Sequence, residues 1–246
     1  KDWQVLIPTF GNEVANAYRD AAIKHWRHYL PTLRSEGAED GNSIPGALLF
    51  ALAGIEIEAS ENTDFPEYLS ESELSHALRY ITWEPNRLPS WFERIHQTFP
   101  AQVKKVVIRE LLWELENTGV QQPMYYILQN LAYYAPWLHS SIAPTVLKWM
   151  MEHPNRTRMN RRDCLQILIK ANIASNCLAA LATQEITAAQ ELNDIAWWYA
   201  ICVDCDPRSG IPKLEQWLSS LDAECATQAA QNFITALMGG SISQIG

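Results

Sequence analysis

The sequence predicts an all-α fold, an α-solenoid-like stack of antiparallel helix pairs of the HEAT or armadillo kind. Apolar residues recur at three- and four-residue steps, prolines stand where helices should begin, and tryptophans return near the period of helix-pair repeats. Residues 89–117, PSWFERIHQTFPAQVKKVVIRELLWELEN, show the first two features together. Pro89 and Pro100 are each expected to open a helix, because the first turn has no intrahelical partner for the missing N–H. In the second helix Val103, Val106, Val107, Leu111, Leu112 and Leu115 form a stripe that Ile108 and Trp113 widen. So wide a stripe calls for cover on two sides, which neighbouring pairs supply in a stacked array. Trp91, Trp137 and Trp217 lie 46 and 80 residues apart, and each is expected early in the first helix of a pair. Such repeats run to about 40–47 residues.

The other elements follow in chain order. Val14, Tyr18, Ala22 and Trp26, four apart, give a helix from Asn12 to Tyr29 that Pro31 closes. SEGAEDGNS, residues 35–43, has no apolar period and reads as an exposed loop and an internal break. The run after Pro45, GALLFALAGIEIEAS, is apolar almost all round and therefore a buried helix. Ser70 with Glu73 has capping-box spacing and starts a helix reaching to about Trp83. Pro123, Pro136 and Pro144 each open a further helix, and another starts at Asn160 or Arg161. Helices near Ser175–Thr183 and Ala188–Val203 follow, then one opened by Pro212, and a last one capped by Asp222 and ended by Gly239. No stretch alternates long enough for a strand.

The chain has 246 residues, 48% of them hydrophobic, with 10 Trp, and can bury a sizeable core. We read it as one helical-repeat domain, a fragment of a longer protein. It has no apolar run of membrane-spanning length and no leader-like start, so no membrane role is expected. Five cysteines, an odd number, suit reduced thiols and the cytoplasm better than a disulfide framework. The net charge of −9 is segregated: residues 35–78 hold ten acids and no Lys or Arg, residues 79–170 twelve basic and seven acidic residues. Such blocks shape the choice of partner more than the fold.

Four sets of residues are candidates for function. Arg156, Arg158, Arg161 and Arg162 fall within seven residues at a helix start, where cations oppose the helix dipole and need a compensating anion. They are the candidate partner-binding patch, with nucleic acid or another polyanion as an alternative ligand and internal pairing as the rival reading. Cys202 and Cys205 have redox or half-zinc spacing but lack a second pair, so they read as buried apolar groups. His25 and His28, i,i+3 on a helix, could hold a metal or serve a catalytic helical domain with Glu56 and Glu58, although no third ligand is fixed. Glu56, after a buried run, needs a partner, for which Arg79 is available. Tyr125, Tyr126, Tyr133, Tyr134 and Trp137, with Trp197, Trp198 and Tyr199, could line a recognition groove or pack helix pairs together.

The phrases LAGIEIEA (52–59), ALRYITWEPNRLPSWF (77–92), VIRELLWELE (107–116) and APWLHSSIAP (135–144) resemble the helical region of large, poorly characterised bacterial ATP-binding proteins. In those proteins a P-loop module is coupled to a long helical array, and some relatives resemble the sensor ATPases of antiphage defence. The resemblance implies architecture and no site residues. The chain has no G-x-x-x-x-G-K-[ST], so any NTPase site would lie outside it. The expected function is a non-catalytic interaction or sensor module that binds a protein partner and needs no cofactor.

Overall fold

A computed structural model describes residues 2–37, 44–84, 87–117, 127–154 and 158–239, apart from the side chains of 158, 159 and 239. The described residues form an all-α fold of twelve α-helices with no strand. The chain divides into two compact units, Lys1–Leu138 and His139–Gly246. Residues 38–43 of the expected break lie outside the described residues.

In the first unit, α1 (Ile7–Trp26) follows a 3-10 turn at Trp3–Leu6, and its regular part begins after Gly11, whose φ of 80° and ψ of 165° are not helical. Its inward face is Ala15, Ala22 and Trp26, while Val14 is exposed. α2 (Gly46–Glu61) begins after Pro45 and is buried on most sides, as its apolar run demands. The two helices meet at Ala22 and Gly54: a Cβ on Gly54 would stand 1.9 Å from the Ala22 carbonyl oxygen. On one side of that point Tyr18 and His25 face Phe50; on the other Arg19 reaches Glu61 and Trp26 reaches Glu58. Phe50 near the start of α2 and Glu58 and Glu61 near its end thus meet different faces of α1. So close an approach requires small residues at its centre.

Beyond α1 the chain runs as an irregular strap through Pro31 to Arg34, and its carbonyls are met by side chains. Tyr80 Oη donates to the carbonyls of Trp26 and Tyr29, and His76 Nε2 bonds that of Tyr29. Arg79 Nε donates to Pro31 O at 2.7 Å, and Trp83 Nε1 to Thr32 O at 3.1 Å. These donors come from α3 (Glu71–Ala77) and the turns after it, so carbonyls at the end of α1 and along the strap are paired without regular structure. The capping box of Ser70 and Glu73 opens α3 as expected.

α4 (Phe92–Thr98) starts three residues after Pro89, whose carbonyl accepts from Phe92 N. Pro89 therefore sits in the preceding turn, whereas Pro100 opens α5 (Pro100–Asn117) as expected. The buried row of α5 is Val103, Val107, Glu110, Leu111, Glu114 and Leu115; Trp113 is only half-buried. α6 (Ile127–Tyr134) packs on α5, and Pro123 lies outside the described residues.

α7 (Pro136–Glu152) runs on through Pro144, which was expected to start a helix of its own. An internal proline removes one hydrogen bond and crowds the preceding turn, but Ile142, Ala143, Val146, Trp149 and Met150 all find burial in the continuous helix. In the second unit come α8 (Arg158–Lys170), α9 (Ser175–Ala188), α10 (Leu192–Cys205), α11 (Pro207–Ser219) and α12 (Ala223–Gly239). Pro212, expected at a helix start, is interior to α11, because Asp206 caps Ser209 N and Pro207 takes the first helical position five residues earlier. Trp217 consequently stands near the end of its helix, while Trp91 and Trp137 keep places at or just before a helix start. α10 packs against α9, α11 and α12, with Tyr199, Val203 and Leu214 at the centre of one cluster. Here too a glycine sets the approach, since a Cβ on Gly210 would lie 2.9 Å from Val203 N.

Gly54→Ala forces the Ala22 carbonyl aside, and the expected loss is about 1–3 kcal/mol or more. Chemical denaturation measures it, and a parental midpoint would contradict a backbone contact at this point.

Candidate functional site

The densest polar constellation lies around Glu58, 9% exposed near the end of α2. Trp26 Nε1 donates to Oε2 at 2.7 Å, Arg27 places both terminal nitrogens on the carboxylate at 2.6 Å, and Tyr68 Oη donates to Oε1 at 2.7 Å. Arg27 Nε continues to Glu73 at 2.7 Å, and Glu73 also holds Ser70. Burial works to raise the Glu58 pKa, but the bonds from Arg27, Tyr68 and Trp26 outweigh it and hold the carboxyl below the usual range. Arg27 and then Ser70 bring Glu73 down to about 2. Arg27 Cζ also lies 4.5 Å from the Trp26 ring centre. A carboxylate with four donors and no weakly held proton is built to stay ionised and fixed. Its chemistry is that of a structural clamp joining α1, α2 and α3.

The residues singled out from the sequence are dispersed. His25 Nε2 bonds Ala47 O at 3.0 Å while His28 Nδ1 bonds Lys24 O at 2.9 Å, so the two imidazoles serve different backbone carbonyls. Glu56 accepts from Ser90, and Arg79 pairs with Glu36 instead. Among the described residues no three His, Cys, Asp or Glu are grouped so as to hold a metal ion. All five cysteines are free thiols. Burial raises the pKa of Cys202, and burial with Asp204 pushes Cys205 up to about 11, leaving protonated thiols that are poor nucleophiles.

Of the arginine cluster, Arg156 and the Arg158 side chain lie outside the described residues. Arg161 turns inward and pairs with Asp194 of α10 at 2.7 Å, its side chain 11% exposed. Arg162 is exposed. Tyr125 and Tyr126 lie outside the described residues; Trp198 and Tyr199 belong to the core of the second unit. Tyr133 and Tyr134, by contrast, are 40% and 46% exposed on the first unit. The Arg87 guanidinium lies 4.8 Å from the centre of the Tyr134 ring, and the half-buried Trp137 packs on Phe92 and His96.

Three structural residues escaped the sequence reading. Arg94 of α4 donates to the carbonyls of Ala59, Asn62, Thr63 and Phe65, so a cation closes the C-terminal end of α2 where the dipole favours one. Glu110 accepts from Ser35 N and Oγ, and Glu114 from Leu128 N at the first turn of α6. Both glutamates lie in phase with Val103, Val107 and Leu111, and an acid on the period of an apolar stripe is a legible sign of a buried, partnered carboxylate.

Removing one member of the clamp strands the others, so Glu58→Ala should cost about 3–5 kcal/mol in denaturant unfolding. The clamp also sets an acid limit. The folded pKa of Glu73, about 2, lies below its ordinary 4.5, so its contribution is present above about pH 4.5 and is lost as pH falls towards 2. Glu73→Gln should flatten that part of the stability profile, and an unchanged slope would contradict the assignment. The chain matches no protein-family model, no curated protein and no solved structure.

Proposed function

We propose that the chain is a non-catalytic helical module of a larger cytoplasmic protein and acts by binding a protein partner. The observation that carries this reading is the division of labour among side chains. Groups capable of chemistry, His25, His28, Glu58, Cys202 and Cys205, are engaged in backbone or core contacts. The outward-facing groups of the first unit include Tyr133, Tyr134 and Arg87, residue types that dominate binding hot spots. The resemblance to helical regions of bacterial ATP-binding proteins supports a sensor role, with nucleotide hydrolysis assigned to another part of the longer protein. Five free thiols fit a reducing compartment.

The test pairs affinity capture from source cells with the double variant Tyr133→Ser/Tyr134→Ser. The double variant should keep the helical content of the parent, while a specifically retained protein should be lost. Equal retention by parent and variant, or turnover of a phosphoester or peptide substrate that His25→Ala abolishes, would overturn the proposal.

A second reading, polyanion binding through α8, rests on the exposed Arg162, four residues from Arg158 on the same helix. Arg161 stands apart because it serves the fold. Arg161→Ala should lower stability by about 1–3 kcal/mol, whereas Arg162→Ala should not. Heparin retention at two ionic strengths decides the reading, since loss of salt-dependent binding in Arg158→Glu/Arg162→Glu would favour it over the protein partner.

A further inference from the structure

Two stretches of the first unit, residues 87–96 and 134–137, touch twice. At one contact the Arg87 guanidinium lies 4.8 Å from the centre of the Tyr134 ring; at the other Trp137 packs on Phe92 and His96, with ring centres 5.3 and 4.8 Å apart. Phe92 is fully buried, as is Ala135 between Tyr134 and Trp137, so the strip rests on the core of the unit.

The two ends of the strip differ in charge. Arg19, Arg27, Arg79 and Arg109 are taken up by the chain's own carboxylates and Arg94 by carbonyls. Arg87, which is exposed, makes no hydrogen bond or ion pair among the described residues. Stacking on Tyr134 steadies the plane of the guanidinium and leaves its N–H groups uncommitted, an arrangement that receives a carboxylate through two parallel bonds. At the other end Trp137 is half-buried, and its Nε1 donates to no described residue. Burial holds the His96 pKa below its ordinary value against the pull of Glu93, so the imidazole is uncharged at pH 7 and this end is an aromatic surface. Glu93 is exposed and acts on His96, so an acid is repelled at this end and received at Arg87.

Building on the reading of the chain as a protein-binding module, we propose that this strip takes an acidic–aromatic segment of the partner, with an Asp or Glu carboxylate on Arg87 and a large apolar side chain on Trp137. The carboxylate meets a guanidinium that is already positioned, and the apolar side chain covers the part of the indole that the fold leaves exposed. Arginine beside aromatic rings also suits unpaired nucleotides, but the net charge of −9 opposes a polyanion far more than a single carboxylate set among apolar residues.

Selection from a random peptide library on phage, against the whole chain, supplies the probe. Recovered sequences should share an Asp or Glu close to a Trp, Phe or Leu. For one such synthetic peptide, Arg87→Ala in the chain and the Asp→Asn or Glu→Gln change in the peptide should each raise Kd about 10-fold. Together they should cost no more than either alone, because both remove one contact. The change in the peptide leaves the protein intact, so a folding defect cannot mimic it. The indole N–H resonance of Trp137, identified by its loss in Trp137→Phe, should move when the peptide is added. Failure to recover a specific peptide, additive losses, an unmoved Trp137 resonance, or tighter binding of a single-stranded oligonucleotide than of any recovered peptide would each overturn the inference. Acid-free peptides whose binding Tyr133→Ser/Tyr134→Ser abolishes would overturn it too, while leaving protein binding to stand; equal retention in the capture experiment is what removes that broader reading.

Discussion

The first unit is organised around one backbone contact, the approach of Gly54 to the carbonyl of Ala22. With no side chain between them, α1 and α2 meet backbone to backbone, and Trp26 at the end of α1 reaches Glu58 near the end of α2. Trp26 and Arg27 then fall on Glu58, Arg27 extends to Glu73, and Glu73 is the residue that opens α3. A bulkier residue at position 54 would separate the helices and part a chain of charge-assisted bonds whose strength depends on distance and exclusion of water. The unit is held by apolar packing at its centre and by a polar clamp at one end, and the glycine sets the geometry of both.

Buried carboxylates recur in this molecule, and each is given work suited to its surroundings. Glu58 gathers three helices, Glu110 fixes the Ser35 turn, and Glu114 meets a backbone N–H at the start of α6. Glu110 and Glu114 meet backbone N–H groups that regular structure leaves unpaired, whereas Glu58 takes side-chain donors. This explains how a chain rich in prolines and short connections remains well bonded. It also explains why the acids of residues 35–78, which read as a charged block, are only partly a surface feature: Glu36, Glu58, Glu61 and Glu73 are consumed by Arg79, Arg27 and Arg19.

Helix periodicity made the fold class legible, and the sites of capping were read well at Ser70, Pro100 and Asp222 because those signals are local. The errors came where two local signals competed. Pro144 and Pro212 look like helix starts, yet burial of the surrounding apolar residues, or a stronger start upstream, overrode them. The close approach at Gly54 is not legible, since nothing in a periodic pattern distinguishes a glycine tolerated in a helix from one required by a neighbour. Partner choice among charges is likewise beyond the pattern: Arg79 is available to Glu56 in the sequence, whereas the fold gives it Glu36. Arg161, one of four similar arginines, is set apart only by the position of Asp194 on another helix.

The strap after α1 ties the order of events in folding to the length of chain available. Its bonds come from residues far downstream: the partners of Trp26, Tyr29, Pro31 and Thr32 lie 54, 47, 48 and 51 positions along, and that of Ser35 lies 75 along. During synthesis the first two helices can therefore meet before the segment joining them has any lasting conformation. The strap becomes fixed only when α3 and then α5 have emerged, so the closure entropy of those loops is met late. The chain just past the first helix is thereby tied to the middle of the fifth, so this part of the unit is linked across long stretches of sequence and is no row of independent hairpins.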